Sequence, residues 1–139
     1  MLEVIARAFQ DRSVVETIES CFGASLAQTF LRIEYAMDTE GFWLEPHTDI
    51  GPKRFTMLTY LSREPGVHRG TDLYYDSDRH CRSVPYASNT ALVFVPSSDT
   101  WHGVEKRPIQ GVRRSVIVNY VTSEWRSTEQ LSFPLAPVR

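Results

Sequence analysis

The sequence predicts a mainly β protein: a sandwich or barrel of about eight short strands, with a short N-terminal helical segment packed on its outer sheet. After about residue 28, segments rich in β-branched and aromatic residues recur at short, regular intervals, separated by Gly, Pro, Asp or Ser. Aromatic residues make up 12% of the chain, which favours pleated surfaces. A clear helical period is found only before this region. These observations together predict the fold class.

The helix is predicted over residues 13–22, "SVVETIESCF". Ser13 and Glu16 have the spacing of a capping box, and Gly23 is a suitable C-terminal stop. Apolar residues at helical spacing form one stripe: Val14, Val15, Ile18, Cys21 and Phe22. The first nine residues fit either a shorter helix or a strand.

The strands are predicted from runs of β-formers that end at turn residues. They cover residues 29–37, 42–50, 54–62, 71–76, 82–86, 90–96, 102–107 and 112–122. The chain of 139 residues contains no repeat, linker or low-complexity segment. It therefore predicts a single domain over residues 1–139.

Composition and charge exclude several classes of function. The net charge of -2 does not favour nucleic acid or an anionic membrane as a partner. No apolar run approaches the roughly 18 residues of a membrane span, and the first residues do not resemble a signal peptide. Cys21 and Cys81 fit neither a disulfide framework nor a zinc motif. We therefore expect a cytoplasmic protein.

Two histidines and one aspartate form a candidate metal centre. In "FWLEPHTDIG", His47 and Asp49 would project to one face of an extended strand, as a hydrogen-bonded pair or as two metal ligands. His102, in "SSDTWHGV", follows a strongly hydrophobic strand and a polar turn. Two histidines and a carboxylate, with open positions left over, are the ligands of non-haem Fe(II) oxygenases. A structural zinc site would close its fourth position and usually uses cysteine.

Two predicted strands present polar groups on one face and apolar groups on the other. In "GVRRSVIVNYV", Arg113 and Ser115 share a face, and in "RFTMLTYLS", Thr56 and Tyr60 share a face. A guanidinium beside hydroxyl groups suits a carboxylate ligand. The alternative is a solvent-exposed arginine and ordinary β-favouring residues.

The order of these motifs resembles the iron(II)- and 2-oxoglutarate-dependent dioxygenase superfamily, in its prolyl-4-hydroxylase-like branch. The motifs are HTD, "FTMLTYLS", "GTDLYYD", "ALVFVPSSDTWHGV" and "GVRRSVIVNYV", over about residues 30–122. The resemblance implies a double-stranded β-helix, or jelly roll, that uses Fe(II), 2-oxoglutarate and O2. It assigns catalytic metal ligation to one group of residues and cosubstrate binding to a second. The implied iron ligands are His47, Asp49 and His102, and the implied cosubstrate-binding residues are Arg113, Ser115, Tyr60 and Thr56.

The implied reaction is hydroxylation of a C–H bond with release of succinate and CO2. A carboxylate at Asp49 favours hydroxylation, because relatives that halogenate carry a small residue there. The substrate is expected to be a small molecule, a peptide or a carrier-bound group, read by residues 62–72 and 76–83. Trp101 is the best aromatic candidate for the pocket wall. Because relatives often carry a longer N-terminal helical portion, we expect either a shallow pocket that suits a large or carrier-bound substrate, or a homo-oligomer in which a partner subunit completes the pocket.

Two alternatives stay open. The first is a cupin-like metal-binding β-barrel with an isomerase or ligand-binding role, in which Arg113 and Ser115 have no function. The second is a catalytically inactive binding module in which the two histidines and the aspartate are unrelated in space.

Overall fold

Two helices form the N-terminal segment of the computed structural model, which describes residues 2–63 and 69–139. Helix α1 spans Leu2–Gln10 and helix α2 spans Arg12–Phe22. The first nine residues, for which the sequence allowed a helix or a strand, are therefore helical. Within the described ranges, neither helix is long and apolar enough to cross a membrane.

The caps of α2 differ in part from the sequence prediction. Asp11, with an extended backbone, is the N-cap and accepts a hydrogen bond from the Ser13 N–H at 2.9 Å. The predicted capping box of Ser13 and Glu16 is therefore wrong, because the aspartate two residues earlier supplies the acceptor and Glu16 pairs with Arg12. The prediction for Gly23 is confirmed: it ends the helix in the left-handed conformation at φ 68°.

The remaining chain forms two antiparallel four-stranded sheets, in which all neighbouring strands except β4 and β5 are distant in sequence. The major sheet has the order β1-β8-β3-β6 and the minor sheet the order β2-β7-β4-β5. The strands are β1 Phe30–Asp38, β2 Leu44–His47, β3 Lys53–Tyr60, β4 Arg69–Tyr74, β5 His80–Pro85, β6 Thr90–Phe94, β7 His102–Val104 and β8 Arg113–Val121. Successive strands from β1 to β4 lie in opposite sheets, as do β5 to β8. This order is the predicted jelly roll.

The main hydrophobic core lies between the helices and the outer face of the major sheet. Leu31, Phe55 and Val118 are buried there against Val15 and Ile18 of α2. The outward faces of β3 and β8 thus pack under helix, as their apolar alternation predicts. The inward faces of the same strands remain available for a polar cavity.

The C-terminal tail runs back along the edge of the major sheet. Val138 is buried and exchanges backbone hydrogen bonds with Gln28 and Thr29, each at 2.8 Å. The Ser132 N–H donates to the Leu31 carbonyl at 2.8 Å. The tail therefore covers its own β1 edge, where an uncovered edge would pair with other chains.

Candidate metal centre and adjoining cavity

His47, Asp49 and His102 converge at one end of the space between the sheets. His47 ends β2 and His102 begins β7, and the two are cross-strand partners with ring centroids 4.3 Å apart. The Asp49 carboxylate lies 3.3 Å from His47 Nε2 through Oδ1 and 3.6 Å from His102 Nε2 through Oδ2. One ligand atom of each residue lies within 4.8 Å of the others. A single cation can therefore contact all three.

The backbone reaches this arrangement by a turn and not by a continuous strand. Strand β2 ends at His47, and Asp49 has a left-handed backbone with φ 63°. The premise that His47 and Asp49 share one face of an extended strand is wrong. Aspartate tolerates the left-handed region better than most residues, and the turn aims its carboxylate back at the two imidazoles.

Both imidazoles have their ligand nitrogen oriented by the backbone. His47 Nδ1 lies 2.8 Å from the Glu45 carbonyl, and His102 Nδ1 lies 2.8 Å from the Thr100 carbonyl. Because a carbonyl only accepts, each Nδ1 must carry the proton and donate. In the neutral ring this leaves the Nε2 lone pair facing Asp49, which is the arrangement that metal-binding histidines use.

The charges around Asp49 keep it ionised. Burial raises the pKa of Asp49, but the hydrogen bond that the protonated His47 ring donates through Nε2 and the nearby ammonium of Lys53 outweigh burial and hold that pKa well below its ordinary value. Burial lowers the pKa of His102 and favours its neutral form. The hydrogen bond to Asp49 raises the pKa of His47, so metal binding there would compete with a proton.

A cavity of about 390 Å³ extends from this centre to Arg113. The Arg113 side chain is 4% exposed, and Nη1 lies 3.3 Å from Asp38 Oδ2. Its Nε and Nη1 make no hydrogen bond to any residue that the structure describes. Buried charged donors without acceptors are costly. A ligand carboxylate in the cavity would supply the acceptors, so these residues fit 2-oxoglutarate.

Ser115 and Tyr60 adjoin Arg113 in different ways. Ser115 is buried and lines the cavity two residues along β8, on the face that the sequence predicts. The Tyr60 ring lies 5.9 Å from the guanidinium carbon, but its hydroxyl donates to Thr71 Oγ1 at 3.0 Å and accepts the Thr71 N–H at 3.1 Å. Tyr60 thus supports the guanidinium through its ring, while its hydroxyl is bonded to β4 of the opposite sheet.

Thr56 lies at the metal end of the cavity. Its hydroxyl is 3.5 Å from Asp49 Oδ2 and accepts a hydrogen bond from Asn119 Nδ2 at 3.0 Å. Because Asn119 supplies the donor, the Thr56 proton is directed at the carboxylate.

The sequence model of the 2OG-Fe(II) oxygenase superfamily matches residues 31–122. The chain belongs to this superfamily. Its members use Fe(II), 2-oxoglutarate and O2, and the His–Asp–His cluster and the unfilled Arg113 donors fit those groups.

One solved structure shows the same fold. The chain is similar to a prolyl-4-hydroxylase of Pseudomonas putida, with a TM-score of 0.59, 19% identity, and coverage of 79% of this chain and 60% of that one. It thus spans less than two thirds of that protein's length. An RmlC-like cupin protein from Desulfovibrio desulfuricans aligns with a TM-score of 0.41 and 17% identity, over 66% of this chain and 72% of that one. Comparison with curated protein sequences gives no match.

Sequence reasoning missed four charged residues that line this cavity: Arg32, Glu34, Asp38 and Lys53. Strict alternation from Thr56 would turn Arg54 inward, but an irregularity in the β3–β8 pairing between Lys53 and Phe55 places Lys53 at the cavity. Asp38 ends β1 opposite Arg113, and only the β1–β8 register reveals that contact.

A second cluster of potential metal ligands has its central carboxylate hydrogen-bonded to other residues of the protein. Asp72, His80 and Glu105 lie close together on the minor sheet. The fully buried Asp72 carboxylate accepts hydrogen bonds from Ser83 Oγ, the Glu105 N–H and the Arg107 guanidinium. This carboxylate joins β4, β5 and the segment after β7, which is a structural role.

The structure describes the predicted pocket-wall residue but only part of the predicted substrate-recognition segments. Trp101 lines a separate cleft of about 540 Å³ that also reaches His102. Of the two predicted recognition segments, residues 64–68, including His68, lie outside the described residues. In the other segment, the residues from His80 onward belong to strand β5.

Proposed function

We propose that the protein is an Fe(II)- and 2-oxoglutarate-dependent oxygenase that hydroxylates a C–H bond, with His47, Asp49 and His102 as the iron ligands. One observation carries the proposal: the three ligand atoms lie within 4.8 Å of one another in a cavity that also holds a buried arginine with unfilled donors. In such an enzyme, iron supplies oxygen activation and 2-oxoglutarate becomes succinate and CO2.

The chain supplies geometry and charge for this chemistry. His47 and His102 present Nε2 because their Nδ1 protons are bonded to backbone carbonyls. We infer that Arg113 and Ser115 bind the distal carboxylate of the cosubstrate. Tyr60 would pack against the guanidinium.

Thr56 has a different proposed task from the one that the resemblance implies. Its hydroxyl faces Asp49 and is held by Asn119, so we propose that it orients the carboxylate ligand. Outer partners of this kind fix a ligand's direction and raise metal affinity.

The substrate and the setting are also proposals. A small molecule, a peptide or a carrier-bound group would each have to reach the centre from the outside of the sandwich. Cys21 and Cys81 are free and exposed, which supports a reducing, cytoplasmic setting.

Succinate formation tests the proposal without knowledge of the substrate. Wild-type protein with Fe(II), 2-oxoglutarate and air should release succinate slowly by uncoupled turnover. Asp49→Gly is the matched variant, because glycine adopts the positive φ of this position freely while removing the ligand. We expect it to keep the wild-type circular dichroism spectrum and release none. Equal succinate from both proteins would contradict the assignment of Asp49.

A further inference from the structure

The Lys53 ammonium contacts the Asp49 carboxylate, which is proposed to bind iron. Its Nζ lies 2.7 Å from Asp49 Oδ1, and its side chain is only 20% exposed. The irregular β3–β8 pairing aims it into the cavity, while the adjacent Arg54 is exposed and bonds the Gly51 carbonyl. The sequence motifs assign no function to this lysine.

We propose that Lys53 is a positioning residue that lowers the affinity of the His47–Asp49–His102 centre for a divalent cation and couples tight metal binding to the dianionic cosubstrate. This inference rests on the proposed function, since it concerns the same centre.

The contacts of the two Asp49 carboxylate oxygens support the proposal that Lys53 lowers metal affinity. Lys53 and His47 both lie against Oδ1, whereas His102 and Thr56 lie against Oδ2. The ammonium therefore holds one oxygen and leaves the other turned toward His102. A bound dication would have to share one carboxylate with an ammonium in a partly buried site, where like charges repel more strongly than in water. Lys53 thus fixes the direction of Asp49 at a cost in metal affinity.

The balance of charges in the cavity supports the proposed coupling between metal binding and cosubstrate binding. Among the residues that the structure describes, the Lys, Arg, Asp and Glu side chains lining this cavity balance: Arg32, Lys53 and Arg113 against Glu34, Asp38 and Asp49. A dication alone upsets this balance, and a dianion restores it. The cosubstrate should therefore offset the repulsion that Lys53 causes. Fixed charges alone would act on each ligand independently, so this coupling requires the Lys53 ammonium to turn from Asp49 to a carboxylate of the bound cosubstrate. Removal of Lys53 should then weaken the dependence of each ligand on the other.

Titration with Mn(II), followed by the electron paramagnetic resonance signal of the free ion, measures both effects without turnover. Mn(II) is redox-stable under these conditions and accepts the same nitrogen and oxygen ligands, although it binds more weakly than Fe(II). The titration is run with and without 2-oxoglutarate on wild type, Lys53→Met and Lys53→Gln. Arg54→Met changes the net charge equally on the exposed neighbour, and Lys53→Arg keeps the charge in place.

We expect Lys53→Met to bind Mn(II) alone at least about tenfold more tightly, because the variant removes a positive charge that repels the dication at close range in a partly buried site. The enhancement by 2-oxoglutarate should shrink by a similar factor. Arg54→Met and Lys53→Arg should match wild type. Lys53→Gln retains a donor for Asp49 without the charge, and it keeps the test decisive if the methionine variant does not fold.

The outcomes separate this inference from the proposed function. If wild type binds no Mn(II) with or without 2-oxoglutarate, the metal centre itself is wrong. If wild type binds Mn(II) but the neutral variants bind it equally or more weakly, Lys53 only holds Asp49 in place and the inference is overturned. If Arg54→Met also binds Mn(II) more tightly, the effect comes from the overall charge of the protein and not from Lys53, and the inference is again overturned.

Discussion

Replacement of Arg113 by methionine should weaken 2-oxoglutarate binding strongly and leave metal binding nearly unchanged. The side chain is 4% exposed, and its Nε and Nη1 form no hydrogen bond within the described part of the chain. Charge-assisted hydrogen bonds contribute about 1.5–3 kcal/mol each. Loss of two is expected to cost about 3 kcal/mol after the buried Asp38 carboxylate and the methionine side chain adjust, which corresponds to roughly a hundredfold weaker binding.

Calorimetric titration of Mn(II)-loaded protein with two ligands isolates this interaction. The second ligand, 2-oxopentanoate, has a methyl group where 2-oxoglutarate has its distal carboxylate. Wild type should prefer 2-oxoglutarate by roughly a hundredfold, and Arg113→Met should lose most of that preference. The control is Arg114→Met, since alternation along β8 directs Arg114 to the opposite face. An undiminished preference in Arg113→Met, or an equal loss in Arg114→Met, would show that the carboxylate binds elsewhere.

Three further substitutions test the scaffold around the centre. A Cβ at Gly103 would lie 2.6 Å from the Leu44 carbonyl oxygen, so Gly103→Ala should push β2 away from β7. The variant should lose about 1–3 kcal/mol of unfolding free energy in urea and bind Mn(II) more weakly. Unchanged Mn(II) binding would contradict this. Tyr60→Phe leaves two buried groups of Thr71 without their partner and should cost about 1–3 kcal/mol, a loss that a wild-type urea midpoint would refute. Burial raises the pKa of Asp72, but its hydrogen bonds, first that from the neighbouring serine, prevail and lower it. A lowered folded pKa means that this stability is present above the unfolded value near 3.9 and is lost as the pH falls through the folded pKa. Asp72→Asn should therefore be less stable at pH 7 and less sensitive to acid; parallel stability–pH curves would contradict the assignment.

The strand faces of the major sheet were predictable because β8 is a regular central strand. Its inward residues, among them Arg113 and Ser115, follow from simple alternation once the opposite face is recognised as apolar. Local capping was less predictable. Asp11 and Ser13 are both good N-caps. Which of them caps α2 depends on where α1 ends, and α1 ends at Gln10, directly before Asp11.

The candidate metal centre consists of residues whose local geometry differs from the sequence prediction. His47 and Asp49 were placed on one extended strand, whereas a left-handed turn brings their side chains together. The contact between His47 and His102 depends on the pairing of β2 with β7, which the order of motifs implied only by resemblance. Their role as ligands stays a prediction, although the structure brings the three side chains together.

The charged residues beside the centre were out of reach of sequence patterns. Lys53 faces the cavity because of an irregularity in strand pairing, and such irregularities leave little trace in composition. The Thr56 hydroxyl is directed by Asn119, a partner far along the chain. Contacts of this kind depend on register between distant strands, which one sequence does not specify.

The visible spectrum of the anaerobic protein with Fe(II) and 2-oxoglutarate tests the central claim most directly. If His47, Asp49 and His102 hold one ferrous ion with room for the keto acid, a weak charge-transfer band should appear in wild type only when both ligands are added. The band should be absent in His102→Ala under the same conditions. A wild-type sample without the band, or an undiminished band in His102→Ala, would contradict the proposed metal centre.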